Sequence, residues 1–310
     1  MKMSSKLFKF SGETMGTRYG VQAYGKLTDG LANDVHQAVS EVDRQMTTWN
    51  NASQLMQLNA TMVDEWRDLP SEICKVLAYA QFVQTESNGT FNIGVGKAVQ
   101  RWGFGTGAHN FDDAKLIAAL NHNSTKLSNC FEVEGKRARR IQDTQLDLSA
   151  IAKGFGVDEM IRVLKVHGIE NAIASIDGEV RVIGDDQGEG WAIAIEAPLV
   201  GIRDIHGMIA LSDCAVATSG DYRHFHDING TRIGHSIDPN NARPTQSQLV
   251  SVTVIANTCM EADAWATALM VMGDIEGPAF ARAHDITALF LTKAQDGLIV
   301  EVGVGSIFSQ

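Results

Sequence analysis

Residues 171–184, NAIASIDGEVRVIG, hold two short apolar, partly β-branched runs on either side of an Asp177-Gly178 pair. Such runs around a turn dipeptide predict a β-hairpin, not a helix. The same signal repeats downstream. WAIAIEAP (191–198), HGMIALSD (206–213) and CAVATSG (214–220) follow as strands. HFHDI (224–228) and TRIGHSID (231–238) are joined by Asn229-Gly230, the strongest short hairpin signal in the chain. LVSVTVIA (249–256) precedes a helical stretch, and a last hairpin is centred on Asp296-Gly297. Hairpins therefore predominate over strand–helix–strand alternation. That predicts an α+β fold with mixed, largely antiparallel sheets and flanking helices.

Upstream, residues 8–24 alternate weakly around GETMGTRYG and predict a first strand pair, with glycines where backbone approaches something closely. Leu31, Val35, Ala38, Val39, Val42 and Met46 form a helical stripe, and Ile73, Val76, Leu77, Ala80 and Val83 form a second. The glycine-rich, aromatic run SNGTFNIGVGKAVQRWGFGTG (87–107) predicts a loop of the kind that contacts ligands. A short helix is expected over 112–120 and two strands within 131–148. No internal repeat or linker divides the chain, so residues 1–310 are read as one domain.

Two helices carry candidate chemistry. In NTCMEADAWATALMVMG (257–273), Thr258 and Glu261 have capping-box spacing and Gly273 stands where a helix would end. Asp263 and Thr267 interrupt its apolar run four residues apart, one turn above the other. They are either a first-turn acid and a back-bonding hydroxyl, or two hard oxygen ligands suited to Mg²⁺ or Ca²⁺. Two side chains cannot complete an octahedron, so further oxygens must come from elsewhere. In DLSAIAKGFGVDEMIRVLKVHGI (147–169), Ser149 is placed to cap a helix running to about residue 167, with Ile151, Phe155, Ile161 and Leu164 inward. Lys153 in its first turns is either a snorkelling surface cation or a partner for an anion at the helix start.

Net charge is −11, from 26 basic and 37 acidic residues, which argues against nucleic acid or an anionic membrane as the main partner. There is no run of 18 apolar residues, hence no expected transmembrane segment. The first residues lack the apolar core of a signal peptide, so the expectation is cytoplasmic residence, or export if a leader has been trimmed. Cys74, Cys130, Cys214 and Cys259 have no metal-type spacing and are read as buried free thiols.

Seven pieces in order resemble the FAD:protein FMN transferases of the ApbE family. They are GETMGTRY, EVDRQMTTW, NGTFNIGVGKAVQRWGFG, LDLSAIAKGFGVD, ATSGDYR, HSIDP and SVTVIANTCMEADAWATALMVMG. The resemblance spans nearly the whole chain. It implies that FAD and Mg²⁺ bind, that FAD is split to AMP, and that FMN is attached through a phosphoester to a Thr or Ser of an acceptor flavoprotein. It further implies that Asp263, Thr267 and the backbone carbonyl of Ala150 ligate Mg²⁺, and that Lys153 holds the pyrophosphate. Asp147 would hydrogen-bond FAD, Thr90, Phe91 and Asn92 would line its site, and Ile237 would add backbone contacts. Met15 and Trp49 match the pair that sandwiches the isoalloxazine, and His235 matches the base that takes the acceptor's hydroxyl proton.

The chain departs from the family pattern in places. Asn92 stands for an Asp, Trp49 for a Tyr, Asn241-Ala242 for Thr-Gly, and Asp177-Gly178 for paired glycines. Two alternatives stand beside transfer: an FAD pyrophosphatase releasing FMN and AMP, and a non-catalytic FAD-binding protein. His235, near His224 and His226, is alternatively a structural histidine.

Overall fold

The computed structural model describes residues 6–106, 126–199, 201–222, 225–228, 231–294 and 296–308, together with 115, 118 and 120. The chain opens with β1 (Leu7–Thr14) and β2 (Thr17–Tyr24), then α1 (Leu31–Met46), α2 (Gln54–Asn59), β3 (Arg67–Asp68), α3 (Ser71–Glu86) and α4 (Gly96–Arg101). β4 (Phe131–Glu134) and β5 (Arg137–Arg140) lead to α5 (Ala152–Val166). Ten strands follow: β6 (Asn171–Ile176), β7 (Glu179–Ile183), β8 (Trp191–Glu196), β9 (Ile205–Leu211), β10 (Ala215–Gly220), β11 (Phe225–Ile228), β12 (Thr231–Gly234), β13 (Ile237–Asp238), β14 (Arg243–Pro244) and β15 (Leu249–Ala256). The long helix α6 (Cys259–Ala283) and the hairpin β16 (Thr287–Lys293) and β17 (Ile299–Val304) close it.

Eight strands form one sheet in the order β1-β2-β6-β7-β10-β15-β16-β17, and every neighbouring pair in it is antiparallel. This bears out the α+β expectation. On β2, Tyr19, Val21 and Ala23 alternate inward and meet Leu31, Val35 and Val39 of α1 and Val157, Met160 and Leu164 of α5. α6 covers the other half of that face, packing Ala262, Ala266 and Leu269 on Val252 and Val254 of β15 and Phe290 of β16. The opposite face is covered by the β8–β9 ribbon, whose Trp191 meets Val182 and Val216. The sheet thus lies between a helical layer and a ribbon, and the N-terminal ends of α5 and α6 meet on its helical side.

Local readings fared unevenly. Thr258 and Glu261 form the full capping box, each side chain bonded to the other's backbone N–H. Ser149 does not cap α5. Asp147 Oδ1 takes both its N–H (2.8 Å) and its hydroxyl (2.5 Å), so the helix begins only at Ala152, after Ile151. The run 87–107 is not all loop, because α4 forms inside it. The helix expected at 112–120 falls largely outside the described residues, as do Asn229-Gly230 and His224. Cys74, Cys130 and Cys259 are buried and free as expected, whereas Cys214 is only half-buried. No helix among the described residues is long and apolar enough to cross a membrane.

Gly273 ends the first helical stretch of α6 as expected, and a second stretch follows across the kink. Its φ of 83° and ψ of −170° form a backbone state open essentially to glycine alone, and helical geometry resumes through Pro278 to Ala283. Gly273→Ala is therefore expected to lose about 1–3 kcal/mol of stability, read as a fall in thermal midpoint against the unchanged chain.

Candidate functional site

The site is built where α5 begins against the first turns of α6. The approach is as close as backbones allow: a Cβ on Gly154 would lie 2.3 Å from the Cys259 carbonyl oxygen and 2.8 Å from Asp263 Cβ. That proximity lets the Gly154 N–H, a first-turn donor with no intrahelical acceptor, donate to Asp263 Oδ2 at 3.0 Å. Ala150 itself lies two residues ahead of α5, half-buried, in the turn set by Asp147. One turn beyond Asp263, the Thr267 hydroxyl meets Ser219 Oγ of β10 at 3.2 Å. Lys153 reaches across to Glu179 at the start of β7, with Nζ to Oε1 at 2.7 Å.

Two buried carboxylates, Glu179 and Asp263, act on the ammonium of Lys153. Asp177, Glu179 and Asp263 all act on Lys153, the cation they share. Asp158, the next carboxylate along α5, is already matched by Arg181 at 2.6 Å. Glu179 is 2% exposed, and its second oxygen, Oε2, is buried without a hydrogen-bond partner. Burial raises Glu179, and Lys153 offsets only part of that. Burial followed by the Glu179 charge pushes Asp263 up to about 7, against the pull of Lys153 and the Gly154 N–H. For Lys153, burial favours the neutral form, but Glu179, Asp263 and Asp177 outweigh it and hold the ammonium above its ordinary value.

Two buried acids, Glu179 and Asp263, around one ammonium are a setting that a divalent cation would neutralise. Asp263, Thr267 and the Ala150 carbonyl are hard oxygen donors of the kind Mg²⁺ prefers. Among the described residues no three His, Cys, Asp or Glu side chains group as metal ligands, so a cation here would have to draw on hydroxyl and carbonyl oxygen. One expectation follows for the metal-free chain. Asp263 holds its proton in the folded state up to about 7 but loses it near 3.8 when unfolded. Between those values the folded chain binds more protons, so stability falls as pH rises through that window. Denaturant midpoints at pH 5 and pH 8 should show the fall, and Asp263→Asn should reduce it.

His235 sits at a bend directly after β12, not on a strand. Its Nδ1 lies 3.1 Å from Asp221 Oδ1, just past the end of β10, and its ring meets the edge of Phe104 at 6.2 Å between centroids. Phe104 in turn stacks on His226 at 4.7 Å. Burial would raise Asp221, but His235 and then Ser236 hold it below the usual carboxylate range. The end of β10 therefore links the two halves of the site. Ser219 bonds the Thr267 hydroxyl, and two residues later Asp221 bonds His235.

The other expected residues are placed as follows. Met15 occupies the β1–β2 turn at φ 48°, an uncommon state for a side-chain-bearing residue, and its terminal methyl faces Gly156 of α5. Trp49, after α1, is 68% exposed. The Asp147 N–H bonds the Ile93 carbonyl at 2.7 Å, while the Thr90 hydroxyl donates to the Ser87 carbonyl at 2.9 Å. Two side chains do not line an opening. The Phe91 ring is 1% exposed inside the core, which leaves only its backbone for a ligand. Asn92 is spent internally: its amide nitrogen donates to the Ser128 carbonyl at 3.3 Å, and its oxygen accepts from the Gly94 N–H at 2.8 Å. The first of these bonds needs an amide and accounts for Asn where the family pattern has Asp. Ile237 is buried among Ala98, Trp102 and Ala242. Ala242 adopts φ 52° at a position where a glycine was expected.

Sequence reading alone missed Ser219, Asp221 and Glu179. The first two lie in ATSGDYR, a piece noticed for its resemblance but not for its chemistry, and Glu179 follows the Asp177-Gly178 turn as an acid starting a buried strand.

The family model for the ApbE family matches residues 15–290. A FAD:protein FMN transferase of Vibrio cholerae is 35% identical over 301 residues, covering 93% of this chain and 88% of that protein. One from Haemophilus influenzae is 30% identical, covering 96% and 90%. Among solved structures, the flavin transferase ApbE from Vibrio cholerae superposes with a TM-score of 0.86 at 35% identity over 98% of both chains. The apo form of the Pseudomonas stutzeri flavinyl transferase ApbE gives 0.85 at 29% identity, covering 99% and 98%. With the family model over residues 15–290 and relatives of 35% and 30% identity covered nearly end to end, the chain belongs to the ApbE family.

Proposed function

We propose that this chain is a Mg²⁺-dependent transferase that splits FAD to AMP and attaches the FMN half to a Thr or Ser hydroxyl of an acceptor flavoprotein. The observation that carries the reading is the acid-rich junction of α5 and α6, where Asp263 is bonded to Gly154 and Glu179 Oε2 is left unpartnered beside Lys153. Asp263, Thr267 and the Ala150 carbonyl would hold the cation, which supplies charge neutralisation to a pyrophosphate in transfer. Lys153 places a second positive charge at the start of α5, where N–H groups already favour an anion. Met15 and Trp49 hold the isoalloxazine by stacking, while Asp147 and the backbone of 90–92 fix the flavin's polar edge. His235 accepts the proton from the acceptor hydroxyl as its oxygen bonds to the FMN phosphorus. The bond from phosphorus to the AMP oxygen breaks, and AMP leaves with the electron pair.

The test is incubation with FAD, Mg²⁺ and a candidate acceptor domain, with mass analysis of the acceptor and chromatography of the nucleotides. The expected result is an acceptor heavier by one FMN and an equal amount of AMP. AMP and free FMN without acceptor would instead make the chain a pyrophosphatase, and intact bound FAD would make it a binding protein. Either of these outcomes overturns transfer.

A further inference from the structure

We propose that Ser219 is a positioning residue for Thr267: its Oγ accepts a hydrogen bond from the Thr267 hydroxyl, which leaves the lone pairs of that oxygen to the cation. This rests on the reading of Thr267 as a Mg²⁺ ligand.

A threonine inside a helix ordinarily bonds back to the carbonyl four residues earlier. Thr85 of α3 does so, donating to the Gln81 carbonyl at 3.0 Å. Thr267 does not. Among the described residues its hydroxyl meets Ser219 Oγ, at 3.2 Å and 48 positions away in the chain.

Strand alternation puts Ser219 there. Ala217 and Ser219 share the face of β10 that α6 covers, whereas Thr218 between them points the other way and meets the Thr253 hydroxyl of β15 at 2.9 Å. Ala217, Ala262 and Ala266 are fully buried between strand and helix, and side chains this small bring a short serine within reach of a helical hydroxyl. Ser219 and Thr267 are themselves half-buried, which leaves the pair accessible to a small ion. Each of the two expected side-chain ligands is thus tied by a different neighbour. The Gly154 N–H of α5 holds Asp263 Oδ2 at 3.0 Å, and β10 holds the Thr267 hydroxyl.

The chemistry follows from the single proton. A hydroxyl has one O–H and two lone pairs, and only a lone pair ligates a cation. The proton must then point to an acceptor elsewhere, and Ser219 Oγ is in place to be that acceptor. Groups that orient a metal ligand in this way are typically worth about 10- to 100-fold in metal affinity. Without Ser219 the Thr267 hydroxyl falls back on the Asp263 carbonyl, the acceptor its own helix offers. It would then leave the sheet side of the helix, and the ligand pair would be lost.

The test is calorimetric titration of the full metal-free chain with Mg²⁺. Ser219→Ala is expected to weaken Mg²⁺ binding by about 10-fold or more, and Ser219→Thr, which keeps the hydroxyl, to stay within about threefold of the unchanged chain. A role confined to holding β10 against α6 would lower the metal-free thermal midpoint and leave Mg²⁺ affinity where it was. A double-mutant cycle separates a positioning residue from a ligand. In a Thr267→Val background, adding Ser219→Ala should change Mg²⁺ affinity by no more than about twofold, because Ser219 acts through Thr267. A further loss of about 10-fold there would make Ser219 a ligand in its own right and overturn the proposal. So would a Ser219→Ala protein that binds Mg²⁺ within about twofold of the unchanged chain while Thr267→Val weakens it. Affinity untouched by Thr267→Val would instead remove the ligand reading on which the proposal stands.

Discussion

Asp263→Ala is expected to abolish Mg²⁺-dependent release of AMP from FAD, a loss of at least about 100-fold, while the protein stays folded. The carboxylate lies where α5 and α6 meet, 4% exposed, and its proton affinity is raised to about 7 by burial and by Glu179. An acid held in that state, with Glu179 Oε2 unpartnered nearby, costs the metal-free fold free energy that a bound cation would return. Three measurements separate this from a structural role. Thermal midpoints with and without Mg²⁺ should differ in the unchanged chain and coincide in Asp263→Ala. Mg²⁺ affinity in the unchanged chain should rise with pH up to about 7 and level off above it, because the cation competes with a proton only while the carboxyl holds one. FAD retention without Mg²⁺ should be nearly unaffected. AMP release that survives the substitution would remove Asp263 from the metal site and the metal reading with it.

Gly154→Ala should be the most destabilising single methyl in the site. Its Cβ would stand 2.3 Å from a backbone carbonyl oxygen, that of Cys259, which no side-chain rotation can relieve. The two helices must separate, and both are buried there, with Cys259, Ala262 and Ala264 at 0% exposure. A cost of about 3 kcal/mol or more is expected, seen as a fall of about 6 to 12 °C in thermal midpoint. Separation also breaks the 3.0 Å bond from Gly154 N–H to Asp263 Oδ2, so Mg²⁺ affinity should fall in the same variant. A midpoint within 2 °C of the unchanged chain would show that the helices are not seated as closely as described.

Much of this fold was legible in the chain because its signals are local. Strands such as β6, β8 and β15 carry apolar residues in runs bounded by turn residues, and the Thr258–Glu261 capping box closes within one helical turn. The errors came where a local rule met a competitor. Asp147 took the groups of Ser149 that the cap would have used. Gly273, by contrast, ends the first stretch of α6 as its missing Cβ predicts, and a second helical stretch follows that seats Gly277 under Phe290. Short elements such as β3, β13 and β14, with two residues each, have no period to detect.

The candidate site divides in the same way. Asp263 and Thr267 could be paired from sequence because four residues in a helix bring side chains together wherever the helix lies. Lys153 could be placed at a helix start for a similar reason. The bond from Gly154 to Asp263, 109 positions apart, could not, nor could the Lys153–Glu179 pair or the seating of His235 on Asp221. These depend on how strands order themselves in the sheet and how closely two helices approach. By itself the sequence determined the elements, the antiparallel fold class and the list of groups able to do chemistry, since propensity, period and capping act within a few residues. Only the tertiary structure decided which carboxylate is buried beside which cation and which acid holds the histidine, because burial and Coulomb interaction depend on distance through space.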